Sequence, residues 1–131
     1  MVKLILTEGL QFIAEDDYSH KIVVDTNTEF GGLDQGFRPM DLMLVSVAGC
    51  MGMDIVGILK KKGGKINAFS IEVEGVRTEG HPHKFTRITV KFKCEGDYQR
   101  KDLLRSFELS RDKYCSAVAT LNDKPEMEFV V

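Results

Sequence analysis

The stretch Pro39-Met-Asp-Leu-Met-Leu-Val-Ser-Val-Ala-Gly-Cys50-Met-Gly-Met-Asp54-Ile-Val-Gly-Ile-Leu-Lys-Lys-Lys62-Gly-Gly64 decides how this chain folds. Pro39 suits a first helical position, where a missing N–H costs nothing, and Asp41 suits the positive end of the helix dipole. Lys60, Lys61 and Lys62 suit the negative end, and Gly63-Gly64 supply a stop. Between these signals apolar residues fall on every side of the helix. Leu42 to Leu59 is 18 residues, the lower edge of a membrane-spanning length. A span would carry the Asp54 carboxylate into hydrocarbon at a cost of a few kcal/mol, and Gly49, Gly52 and Gly57 dilute its apolar character. The stretch therefore reads as a helix covered all round, at the centre of a globular core or of an oligomer, and no membrane partner is expected.

On its N-terminal side the chain reads as short strands. Val2 to Leu6, Gln11 to Ala14 and Lys21 to Asp25 are apolar or β-branched, separated by Glu8-Gly9 and Glu15-Asp16-Asp17 in the manner of a meander. Asn27 to Gly36 is a loop of turn formers. On the C-terminal side a hairpin follows. Phe69, Ile71 and Val73 alternate with acidic residues, and Ile88, Val90, Phe92 and Cys94 alternate with Thr89, Lys91 and Lys93. This period of two gives each strand one buried and one wet face, the wet faces carrying opposite charges that can pair across the ladder. Asp97 is a candidate N-cap for a helix through Leu103, Leu104, Phe107, Arg111 and Tyr114. Cys115 opens a further short apolar stretch, and Glu126 to Val131 reads as a final strand after the break at Asn122 to Pro125. The order predicts an α+β fold with antiparallel sheet, in a single domain over residues 1–131.

Composition narrows the function. The 131 residues are 43% hydrophobic and 29% charged, a globular balance long enough for one core. A net charge of −2 disfavours a nucleic-acid partner. Met1 to Glu8 does not read as a signal peptide, so a cytoplasmic location is expected, where three cysteines do not make a disulfide framework. No phosphate-binding glycine loop, nucleophile elbow or nucleotide fingerprint is present, and no cofactor is expected. His81 and His83 flank Pro82 in the hairpin connection without a cysteine or patterned carboxylate to complete a ligand set, so no metal is expected there. His20 has no evident partner. Cys94 continues the inward face of its strand and reads as core.

The remaining cysteines carry the chemistry. Cys50 lies mid-helix and Cys115 lies 65 residues later in Arg111-Asp-Lys-Tyr-Cys115-Ser-Ala-Val-Ala119. A nucleophilic cysteine must be a thiolate, yet Cys50 is about three turns from the helix start and gains little there. Ser46 and Asp54 share its face, and an ionised Asp54 opposes a thiolate unless a cation neutralises it. Cys115, at the start of a short helix, is better placed to be acidic. Both cysteines also suit plain core positions, and residue chemistry alone leaves redox and structural roles open.

These motifs resemble those of the OsmC/Ohr family of small thiol-dependent hydroperoxide reductases. The resemblance rests on Arg38-Pro39-Met40-Asp41-Leu42 leading to Ala48-Gly49-Cys50, on Tyr114-Cys115-Ser116-Ala117-Val118, and on the cysteine separation. It covers essentially the whole chain and is strongest toward the less characterised OsmC-like branch. It implies antiparallel sheets wrapped around a long central helix, an intertwined homodimer, and a peroxidase of oxidative-stress defence acting on organic hydroperoxides or hydrogen peroxide. Cys50 would attack the peroxide, Cys115 would resolve the sulfenic acid, and an external dithiol or lipoylated protein would reduce the disulfide. The chain departs from the pattern in two places. It has no arginine before Arg38, where the family carries an activating arginine, and Met40 stands where the family carries a glutamate. Arg38 and Asp41 are the candidate activating or positioning pair in their place, within one chain or across the dimer. Arg38 is twelve residues before Cys50, about 18 Å along a straight helix, so it cannot reach its own Cys50. Lys21 is a further candidate cation. The alternative implied by these departures is a stress-associated protein that binds a small ligand with little or no turnover.

Overall fold

The computed structural model describes residues 1–123 and 125–130. The chain divides into two compact units, Met1–Met43 and the residues from Leu44 onward. In the N-terminal unit, β1 (Val2–Glu8), β2 (Gln11–Asp16) and β3 (Lys21–Val24) form an antiparallel meander in that order. The register places Leu4 opposite Ala14 and Phe12 opposite Val24. His20 does have a partner: its Nδ1 lies 2.9 Å from Asp16, whose carboxyl this contact holds below its usual value.

The loop after β3 is organised by Asp25, which is buried. Burial alone raises its pKa, but the amides of Gln35, Thr26 and Leu33 and the side chain of Gln11 all donate to the carboxylate and hold it at about 2. Within the loop Thr28–Phe30 forms a single 3-10 turn capped by Asn27.

The helix α1 (Pro39–Lys61) has the expected bounds. Past its end, Gly64 N–H reaches Leu59 C=O and Gly63 N–H reaches Lys60 C=O, each at 3.0 Å, with Gly63 at φ 85°. That pairing is the Schellman stop for which the glycines are needed. By length and composition, α1 is the one helix among the described residues able to cross a membrane.

In the C-terminal unit β4 (Lys65–Arg77) and β5 (Phe85–Asp97) form a hairpin longer than its alternating centre predicts. Ile71 faces Phe92 and Val73 faces Val90, and on the wet side Glu74 meets Lys91 at 3.4 Å, as the charge pattern anticipates. Val47, Met51 and Ile55 of α1 form a buried core with Cys115, against which Phe69, Ile71 and Val90 of the hairpin pack. The spacing of these α1 residues is the stripe of one helix face. Phe69, Phe92 and Phe107 stack in succession, their ring centres 6.4 and 5.4 Å apart.

Two expectations are corrected here. Asp97 does not cap a helix. It closes β5 opposite Lys65, because the ladder continues through Gly96 at φ 152°, and α2 (Arg100–Leu109) starts after Gln99. Residues 126–130 form no strand, and Val131 lies outside the described residues. The fold class itself is α+β with antiparallel strands, as the pattern predicts.

Candidate active site

Cys50 lies beside the buried stripe of α1 and is half-buried, since it is next to Met51 and three residues after Val47 on the helix. Cys115 arrives from the other side. After α2 the chain widens into one π-type turn, Ser110–Tyr114, closed by Cys115 N–H to Ser110 C=O at 2.9 Å. Cys115 then caps α3 (Ser116–Asn122), its sulfur accepting the Val118 N–H at 3.4 Å. Only 3% of Cys115 is exposed. Its side chain lies within interaction range of that of Cys50, and both thiols are free. The structure thus brings together the two cysteines that the sequence separates by 65 residues.

The electrostatics of Cys115 reverse a sequence expectation. Burial pushes its pKa up, and the contact with Cys50 pushes it further, while the amides of Val118 and Ala117 pull it down. Burial wins, so the resting group is a neutral thiol and not the acidic one that a helix start predicts.

Asp54, one turn beyond Cys50, accepts the hydroxyl of Ser110 at 3.0 Å. Sequence reasoning marked Asp54 as a charge working against a thiolate, and missed Ser110 altogether. A serine at the end of an amphipathic helix carries no local signal of a partner 56 residues away.

Arg38 and Asp41 both belong to the N-terminal unit. Arg38 forms its ion pair with Asp34 and donates to Gly36 C=O at 2.9 Å. Asp34 raises the Arg38 pKa first, with Asp41 adding only a through-space contribution. Lys21 is paired with Glu15 at 3.4 Å. The short loop after β3 explains this, since it presents a carboxylate four residues before Arg38. Among the described residues no cluster of three histidine, cysteine or acidic side chains could hold a metal ion. Cys94 is half-buried, and its carbonyl accepts the Tyr98 hydroxyl at 2.5 Å.

Beside the thiols lies a cavity of about 480 Å³. Val47 and Met51 on α1 and Val118 on α3 form its wall nearest the cysteines, with Phe85, Ile88 and Val90 of β5, Phe107 and Leu121 completing an apolar lining. Arg87 and Arg111 are its cationic residues. The Phe85 ring occupies the space over Gly75, where a Cβ would lie 2.2 Å from it. Arg111 lies over the Phe107 ring, 5.4 Å from its centre, and is bonded to Asp112, which raises its pKa. Chemically, two thiols in contact can exchange electrons as a dithiol–disulfide couple, and one can capture a sulfenic acid formed on the other. The adjoining volume is of the size and apolarity that small organic ligands occupy.

The sequence profile described as OsmC-like protein matches residues 32–130. Protein YhfA of Escherichia coli K12 is 32% identical over 115 residues, which cover 87% of this chain and 83% of YhfA. The crystal structure of a hypothetical protein from Aquifex aeolicus VF5 superposes with a TM-score of 0.81 at 32% identity, covering 93% of this chain and 86% of that one. An organic hydroperoxide resistance protein from Elizabethkingia anophelis shares the fold at a TM-score of 0.64 and 14% identity, covering 92% of this chain and 87% of that one. With a matched profile across most of its length and a relative 32% identical over 87% of it, the chain belongs to the OsmC-like protein family.

Proposed function

We propose that this protein is a two-cysteine hydroperoxide reductase acting in oxidative-stress defence. The observation that supports it most is the contact between the Cys50 and Cys115 thiols beside an apolar cavity. The Cys50 thiolate attacks the outer oxygen of a hydroperoxide, the O–O bond breaks, and the alcohol leaves with a proton. Cys50 is then a sulfenic acid. The Cys115 sulfur attacks it, the S–O bond breaks, water leaves, and a disulfide remains. An external dithiol, a lipoylated protein being the proposed partner, returns two electrons. The apolar lining favours organic hydroperoxides over hydrogen peroxide. The proposal includes a cytoplasmic location and a homodimer in which a second copy covers the exposed face of α1. That face carries Met53 at 74% exposure, and a Cβ added at Gly49 or Gly57 would meet nothing within 4 Å.

Dithiol-dependent consumption of cumene hydroperoxide tests the reading. The expected result is turnover by the wild type, its loss in Cys50→Ser, and an intramolecular disulfide on treatment with stoichiometric peroxide. Absence of turnover with several dithiols, or unchanged turnover in Cys50→Ser, overturns it. A second reading, ligand binding with little turnover, is favoured by the raised pKa of Cys115 and by the engagement of Arg38 with Asp34. It predicts saturable binding of apolar compounds in the cavity and no peroxide consumption.

A further inference from the structure

We propose that the Asp54–Ser110 hydrogen bond is a positioning strut that sets Cys115 against Cys50. The inference rests on the two-thiol reading and concerns this chain's own geometry. Asp54 is four residues after Cys50, one turn and about 6 Å along the same rigid helix. Its carboxylate accepts the Ser110 hydroxyl at 3.0 Å. Ser110 is 0% exposed, and its own N–H is spent on the carbonyls of Ser106 and Phe107. Its carbonyl accepts the Cys115 N–H at 2.9 Å, closing the π-type turn. The thiol contact completes a closed circuit: Cys50, one turn of α1, Asp54, Ser110, the Cys115 amide, the Cys115 sulfur.

Each part of the circuit has a physical reason. A π-type turn is a widened, weakly favoured conformation that recurs at functional sites and needs outside support to persist. Here the support is a hydrogen bond to α1 from a side chain that is itself 0% exposed. Ser110 is the one residue of the turn that is tied to α1 by its side chain and to Cys115 by its backbone. Arg111 and Lys113 point to other partners, Arg111 to Asp112 and Phe107, and Lys113 to the Tyr114 ring. The role of Asp54 is therefore mechanical. Its carboxylate is an acceptor that fixes the turn, and neither Asp54 nor Ser110 touches a reacting atom.

The test measures how strongly the fold favours the Cys50–Cys115 disulfide, by equilibrating the protein with reduced and oxidised glutathione and quantifying the disulfide after acid quench and mass spectrometry. The strut predicts at least a tenfold fall in the equilibrium constant for Asp54→Ala and for Ser110→Ala. Asp54→Asn, which keeps an acceptor oxygen at the same place, stays within about twofold of wild type. With peroxide, the two alanine variants accumulate Cys50 sulfinic acid where the wild type forms disulfide. Near-UV circular dichroism establishes that the variants are folded. Asp54 is half-buried, so Asp54→Ala leaves Ser110 packed and decides the matter if Ser110→Ala does not fold. An unchanged constant in folded Asp54→Ala overturns the strut, and so does an equal loss in Asp54→Asn, which would assign the effect to charge. Glutathione exchange needs no peroxide chemistry. A wild type without turnover whose strut variants shift the constant defeats the peroxidase reading alone, and turnover with an unmoved constant defeats the strut alone.

Discussion

Replacing Met53 by alanine tests what covers the outer face of α1. Met53 is 74% exposed, Val45 two turns earlier is 47% exposed, and Gly49 and Gly57 on the same face leave open space. Burying a methionine side chain stabilises by about 1.5–3 kcal/mol, of which alanine retains about 0.8 kcal/mol through its methyl group. Scaling the difference by the exposed fraction, and counting it twice because a two-fold interface uses each residue twice, gives about 1–3 kcal/mol per dimer. The dissociation constant of the homodimer should rise roughly 5- to 150-fold. Sedimentation velocity over a dilution series of wild type and Met53→Ala measures it directly. A wild type that is monomeric at micromolar concentration, or a variant with the wild-type dissociation curve, refutes the assignment of this face to a second copy.

Other predictions follow from the buried groups. Ile55 is 0% exposed, so Ile55→Ala should lower the free energy of unfolding by about 2–5 kcal/mol in urea titrations, the usual cost of such a cavity. The Asp25 pKa is depressed from 3.8 to about 2, so its ionised form stabilises the fold above 3.8. That stabilisation should fade as pH falls from 3.8 toward 2, and Asp25→Ala should flatten the dependence of the urea midpoint on pH in this window. Cys115→Ser removes the resolving thiol. Under excess cumene hydroperoxide its Cys50 should proceed to sulfinic acid, detected by mass spectrometry, while the wild type stops at the disulfide.

Several features were legible in the sequence because they are local. The bounds of α1 follow from Pro39, the lysine run and Gly63-Gly64, whose effects act within one helical turn. The hairpin's buried and wet faces follow from two alternating runs, which put Ile71 and Val73 opposite Phe92 and Val90. The misreadings share one cause, a local preference overridden by distant partners. Asp97 has the chemistry of a cap but lies on a ladder held by Lys65. His20 looked isolated because the partnership with Asp16 is made by the turn between two strands.

For the site, the amino-acid sequence by itself determined which atoms are available. Two thiols stand in motifs of one family, one on a long apolar helix and one at a helix start. It also determined that no arginine precedes Arg38 and that position 40 is methionine. Only the tertiary structure decided that the thiols are neighbours, that burial raises the Cys115 pKa, and that Asp54 serves Ser110. The physical reason is that a thiol's acidity and reach depend on burial and on through-space neighbours. Neither has a counterpart in the spacing of residues along the chain.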